Sequence, residues 1–243
     1  MIDLLKLSAE KDRQNSSMLN CKSLHRQTVT VLGAGGLGCS VAVHLAGAGV
    51  GETVLIDFDS VSAGNLNRQF FYTPENIGKP KAELAARFLS RYAPESRFVA
   101  VNEMLTDENA QSLLCGSGLV ITACDNTPAR LLVAKACRKL HIPMLDCGIA
   151  GGDGRVFLYI PGETACPGCI MSETDESADK RTCGAAAGVI GSFAALTALR
   201  FLSEGKHPDS GKMIIIDTVN FSVDILPVKK SGSCKICGGD SNG

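Results

Sequence analysis

A β-branched run that breaks at a cluster of glycines and resumes as small apolar residues constrains this chain more than any other stretch. Thr28-Val29-Thr30-Val31-Leu32 reads as a buried strand, Gly33-Ala34-Gly35-Gly36-Leu37-Gly38 as a tight turn, and Gly36 to Ala48 as a helix packed closely on a sheet. Strand, G-x-G-x-x-G and helix, in that order, open a Rossmann-type unit. Gly33, Gly35, Gly36 and Gly38 let backbone approach a phosphate, and the helix start offers oriented N–H groups. The competing reading is a turn that serves helix–sheet packing alone. The turn does not separate ATP from a dinucleotide, so a nicotinamide-dependent oxidoreductase stays open here.

The rest of the chain alternates in the same way. A second strand is predicted over 53–57, a helix over 81–92 stopped by Pro94, a third strand over 119–122, a helix over 128–140 and a strand over 143–146. Beyond Gly154 the pattern changes: a strand over 156–160, a polar loop from Gly162 to Gly184, a helix over 188–202, and two strands (213–217 and 221–226) with no helix between them. That last pair is expected to be antiparallel. The fold class is therefore α/β and Rossmann-like: a mostly parallel sheet, helices on both faces, and late antiparallel strands. One domain covers 1–243, with a polar segment at 1–20 and a tail at 227–243.

A net charge of -1 supplies no basic field, so nucleic acid is not the expected partner. The N-terminal segment lacks a signal-peptide core, and no run is expected to span a bilayer, which places the protein in the cytoplasm. Eleven cysteines in a reducing compartment then point to metal ligation or thiol chemistry rather than disulfides. Cys166-Pro167-Gly168-Cys169 and Cys234-Lys235-Ile236-Cys237 are two C-x-x-C pairs that together supply the four ligands of a closed structural zinc site, pinning the tail. A redox role for either pair is the alternative. Cys21, Cys39, Cys115, Cys124, Cys137 and Cys147 read mostly as small core residues.

The residues after the second strand bear on the choice of nucleotide. Asp57 stands where a carboxylate accepts from ribose hydroxyls. Asp57-Phe58-Asp59, Asn65-Leu66-Asn67-Arg68-Gln69 and Gly78-Lys79-Pro80-Lys81 follow, and Asp125-Asn126 comes just past the predicted third strand. Attack on the α-phosphorus of ATP needs cations at the phosphate oxygens, for which Arg68 and Lys81 are placed, and a carboxylate for a divalent metal, for which Asp125 is placed. Taken singly, Arg68 and Lys81 also read as solvated surface charges, and Asp125-Asn126 as a helix N-cap.

Taken together, G-x-G-G-L-G, D-F-D-x-V, N-L-x-R-Q, G-x-P-K, C-D-N, Gly188-Val189-Ile190-Gly191-Ser192 and the two cysteine pairs resemble the ThiF/MoeB/HesA adenylyltransferases, relatives of ubiquitin-activating enzymes. The resemblance covers roughly Cys21 to Cys237. It implies a homodimer that uses ATP and Mg²⁺ to adenylate the C-terminal Gly-Gly carboxylate of a ubiquitin-like sulfur carrier of the thiamine or molybdopterin type. Other family members modify small metabolites or tRNA nucleosides, and that alternative stays open. Carried over, Gly36 and its neighbours hold the phosphates, with Asp57 and Asp59 on the nucleotide side. Asn65, Arg68 and Lys81 engage the phosphates, Gln69 and Asn126 line the nucleotide site, and Asp125 stands at the Mg²⁺. Cys183 occupies the place of a cysteine that links to the carrier or relays sulfur, although its spacing to Gly188 is short for the family. Arg13 stands near the place of an arginine lent to the partner subunit. No rhodanese-like domain follows Cys237, so sulfur is expected from a separate donor such as a cysteine desulfurase or a rhodanese.

Overall fold

The computed structural model describes residues 3–172 and 181–238. Its centre is an eight-stranded sheet in the order β3-β2-β1-β4-β5-β6-β7-β8. The strands are β1 (Thr28–Leu32), β2 (Glu52–Ile56), β3 (Arg97–Val101), β4 (Leu119–Thr122), β5 (Met144–Ala150), β6 (Asp153–Tyr159), β7 (Lys212–Asp217) and β8 (Ser222–Pro227). Strands β1 to β5 run parallel, and β5 to β8 run antiparallel. The expected mixed sheet is present, including the antiparallel late pair.

Helices cover both faces: α3 (Gly36–Gly47), α4 (Lys81–Tyr92) and α7 (Gly184–Glu204) on one, α5 (Ala110–Leu114) and α6 (Thr127–Leu140) on the other. Strand pleating sorts the core between them. Val29, Val31, Leu119, Ile121, Leu145, Val156 and Leu158 pack beneath α3 and α7, whereas Val120, Met144, Phe157 and Tyr159 face α6. Gly191 brings α7 close to α3, because a Cβ there would lie 2.6 Å from the Ser40 Cβ. Contrary to the expectation of no membrane-length run, α7 has the length and hydropathy to cross a bilayer. It is instead built into this core through Ala187, Ile190, Ala194 and Ala198.

Several boundaries differ from the sequence reading. β3 is an extra edge strand, so Leu119–Thr122 is the fourth strand rather than the third. Strand β2 ends at Ile56, leaving Asp57 as the first residue beyond it. α7 begins at Gly184 and ends at Glu204, where Gly205 closes it at φ +71°. The polar N-terminal segment carries a helix: α1 (Leu4–Asn15) is capped by Asp3, and α2 (Cys21–Leu24), just after the segment, by Asn20. No residue of α1 is buried, so it carries no apolar stripe for a periodicity argument to find. It is held by the Lys11–Glu95 ion pair at 2.5 Å and by the contact of the His25 Nε2 with the Asp12 carboxylate at 3.0 Å. Part of the expected 162–184 loop, residues 173–180, lies outside the described residues, as do 239–243 of the tail.

Candidate functional site

Pairing places Val101, Ile56, Leu32, Thr122 and Asp146 at one level across the parallel strands. The residues just beyond them share one edge, and β1 and β4 are neighbours whose connections leave in opposite directions. That is the crevice where open α/β sheets bind ligands. Gly33, at φ +101°, is pressed so close to β4 that a Cβ would stand 2.9 Å from the Ala123 carbonyl oxygen. Gly38 is constrained further, since a Cβ there would fall 1.9 Å from the Gly33 oxygen. The glycines therefore have a packing role. Yet Gly35, the N-cap of α3, offers no side-chain cap, which leaves the first turn of N–H groups to an external acceptor.

Asp57 is buried below this turn. Its Oδ2 accepts from the Ala34 N–H at 2.6 Å and its Oδ1 from the Asp59 N–H at 2.8 Å. Burial pushes the carboxyl above its ordinary range, against the pull of those two N–H groups and of Lys81. The carboxylate thus anchors the glycine turn, and two of its four acceptor positions are already used. Lys81 opens α4 and is not a surface charge: its side chain is 7% exposed and its Nζ meets the Asp59 carboxylate at 2.9 Å. Tyr72 ties the two pieces together, donating to the Ala34 carbonyl at 2.8 Å.

Arg68 lies over the turn from the opposite side. A Cβ on Gly36 would meet the Arg68 Cγ at 3.1 Å, and the guanidinium donates to the Gly64 carbonyl at 3.0 Å and to Asn67 Oδ1 at 2.8 Å. The amide of Gln69 is buried above Gly35, and its Oε1 has no hydrogen-bond partner. Asn65 turns inward to close a short capping box with Ser62, accepting its N–H at 3.1 Å. Asp125 is exposed in the loop after β4. Asn126 serves as the N-cap of α6, accepting from the Ala129 N–H at 3.1 Å. The helix-cap reading therefore holds for Asn126. An uncapped helix start, a buried lysine, an arginine over the turn, an orphaned amide oxygen and an exposed carboxylate together suit a nucleoside triphosphate with a divalent ion.

Cys183 is brought to the same neighbourhood. It caps α7, its Sγ accepting from the Ala186 N–H at 3.4 Å, and Thr182 accepts from Asn67 at 3.3 Å beside Arg68. Arg13 is not brought there. Asn15, two residues on, donates to the Gly47 carbonyl at the far end of α3, about 18 Å along that helix from the glycine turn. Arg13 itself pairs with Glu10 at 2.8 Å. Within one chain it stands at the wrong end of the sheet.

The two C-x-x-C pairs meet. The four thiols of Cys166, Cys169, Cys234 and Cys237 all lie within 4.8 Å of one another, with closest approaches of 3.3, 3.5 and 4.0 Å. A tetrahedral zinc thiolate site needs about 3.8 Å between sulfurs. Burial pushes Cys237 up to about 11; at Cys234 burial is outweighed by the N–H groups of Cys237 and Ile236, which bring the thiol down to about 7. Gly168 makes room, since a Cβ there would lie 3.2 Å from the Cys234 sulfur. Of the cysteines read as core, Cys21, Cys39, Cys137 and Cys147 are buried, but Cys115 is exposed and Cys124 half-buried at the site.

Sequence reasoning passed over Arg130, Asp146 and Arg155, which cluster beside the Asp125 loop. Asp146 ends the strand expected over 143–146, and an acid in a buried strand is the signal of a cationic partner.

Comparison with known proteins agrees with the geometry. The ThiF family model matches residues 10–236. The molybdopterin-synthase adenylyltransferase of Salmonella typhimurium is 33% identical over 224 residues, covering 89% of each chain. The sulfur carrier protein ThiS adenylyltransferase of Escherichia coli is 31% identical, covering 88% of this chain and 86% of that one. The sulfur carrier protein adenylyltransferase of Thermus thermophilus is 34% identical, covering 88% and 83%. Among solved structures, Escherichia coli MccB with ATP superposes with a TM-score of 0.78 at 24% identity, over 90% of this chain and 68% of that one, a likeness of fold. On this fold, these motifs and these relatives, the chain belongs to the ThiF family.

Proposed function

We infer that this protein is an adenylyltransferase that uses Mg-ATP to activate the C-terminal glycine carboxylate of a ubiquitin-like sulfur carrier protein. The observation that carries the reading is the convergence of the glycine turn, Arg68, Lys81 and Asp125 at one edge of the sheet. The relatives named above are adenylyltransferases, two of them of sulfur carrier proteins.

A carboxylate oxygen attacks the α-phosphorus, a P–O bond forms, and the bond to pyrophosphate breaks with its electron pair on the leaving oxygen. The N–H groups at the start of α3 receive phosphate oxygens, and Arg68, which already crosses Gly36, swings its guanidinium onto them. Lys81 is held by Asp59 at the mouth of the site, pre-oriented toward the charge that develops on the leaving group. Asp57 uses its remaining acceptor positions for the ribose. Asp125 is the residue to hold the divalent ion, which supplies charge neutralisation along the triphosphate when bound. The product, an acyl-adenylate, has a good leaving group for a sulfur nucleophile; Cys183, seated next to Arg68, is placed to take that part.

A protein substrate agrees with the surface. Strand β8 is exposed along its length, with Val223, Ile225 and Leu226 about half accessible and Phe221 beside it 91% accessible. Sulfur then comes from a separate donor, zinc sits in the four-cysteine cluster, and Arg13 serves a site only across an interface with a second copy.

The test is carrier-dependent exchange of labelled pyrophosphate into ATP. A small protein ending in Gly-Gly should support exchange, and Arg68→Ala and Asp125→Ala should each reduce it by about 10²–10³-fold. Exchange at the unaltered rate in both variants overturns the assignment.

A further inference from the structure

Behind the Asp125 loop lies a buried ion pair that nucleotide contacts do not account for. Arg130, in the first turn of α6 and 4% exposed, donates through Nη1 to both oxygens of the fully buried Asp146 carboxylate, at 2.8 and 2.9 Å. Its Nη2 donates to the Cys124 carbonyl. Thr122 donates to the same carboxylate at 2.6 Å, and the Arg155 Nε approaches it at 3.5 Å. Gly148 on β5 makes room, since a Cβ there would stand 3.0 Å from both guanidinium nitrogens.

Stability is a weak reason to keep such a pair, because apolar residues of similar size often do as well. The second arm of Arg130 suggests another reason. Cys124 directly precedes Asp125, and the Ala123–Cys124 backbone lies so close to Gly33 that a Cβ there would stand 2.9 to 3.1 Å from it. On the other side, Asn126 is fixed as the cap of α6. The loop is therefore clamped at residues 124 and 126, with Asp125 between the clamps and the glycine turn alongside.

The geometry points to Arg130, anchored by Asp146, as a positioning residue that holds the backbone beside Asp125 and so orients that carboxylate for a divalent cation. The inference rests on the Mg-ATP reading of the site. Arg130 reaches the cation through Asp125, as residues behind metal ligands commonly do.

The experiment titrates Mn²⁺ into the full chain holding the non-reactive α,β-methylene analogue of ATP, with electron paramagnetic resonance as the readout. Arg130→Lys keeps a cation on Asp146 but lacks the second arm to Cys124. Its Mn²⁺ dissociation constant should rise about 10–100-fold, with affinity for the metal-free analogue unchanged. The double variant Arg130→Met/Asp146→Leu replaces the pair with apolar side chains, guards against a folding defect and should show the same weakening. Asp125→Ala should weaken Mn²⁺ by itself, and adding Arg130→Lys should weaken it no further. Unaltered Mn²⁺ affinity in Arg130→Lys and in the double variant, beside a weakened Asp125→Ala, overturns the positioning role and leaves the Mg-ATP reading standing. Unaltered affinity in Asp125→Ala overturns that reading and this inference with it.

Discussion

Asp57→Asn separates what the buried carboxylate does for the fold from what it does for the nucleotide. Burial raises the Asp57 carboxyl above its ordinary 3.8, so the folded chain holds that proton more tightly than the unfolded chain does. Its contribution to stability is fully present below pH 3.8 and is lost as pH rises through the raised value. At neutral pH the ionised group is thus a cost to the empty protein; relief of that cost opposes the loss of the acceptor for the Asp59 N–H, and Asp57→Asn should melt within about 4 °C of the parent. The amide oxygen can still accept the Ala34 N–H, now at 2.6 Å, but the amide nitrogen accepts nothing. A ribose hydroxyl bound to the charged oxygen then loses about 1.5–3 kcal/mol, a roughly 10- to 150-fold weaker ATP complex. Calorimetric titration with ATP and with 2′,3′-dideoxy-ATP completes a double cycle. The parent should lose most of its affinity on removal of the hydroxyls, and Asp57→Asn should lose little more. An equal loss in both proteins would refute the ribose assignment, and a markedly lower melting temperature at neutral pH would refute the electrostatic argument.

Two further outcomes are expected. Removing zinc with a strong chelator, or substituting Cys234→Ala, should release the tail from residue 228 onward while the packing beneath α3 and α7 persists. Hydrogen exchange should then show protection lost at 228–238 with β1 and β4 unaffected, and global unfolding would contradict it. Cys183→Ala should leave pyrophosphate exchange within about threefold of the parent, because a nucleophile acts after the adenylate has formed. Mass spectrometry should at the same time lose any covalent adduct with the carrier, and an adduct that persists would remove Cys183 from the mechanism.

Much of the site was legible because its chemistry is local. The glycine turn, Lys81 and Asp125 each follow a strand or open a helix, and such positions are set by short-range pattern. The two cysteine pairs were legible for a related reason, since each presents two ligands within one turn. β3 and α1 were missed because an edge strand and a helix with no buried residue bury too little to leave a clear apolar period.

The sequence by itself determined that a glycine turn opens an α/β unit and which charges follow it along the chain. Tertiary structure decided which of those charges are exposed and what each one touches. Lys81 became a buried base held by Asp59, Asn126 a helix cap, and Arg13 a residue at the far end of α3. The pair of Arg130 and Asp146 needed the fold most. Sixteen positions separate them, and a strand–helix–strand pattern does not say which residue of α6 turns down onto which residue of β5. Pairing of that kind depends on strand order, and burial of a charge on what the rest of the chain lays over it, so neither can be read from a residue's neighbours along the chain.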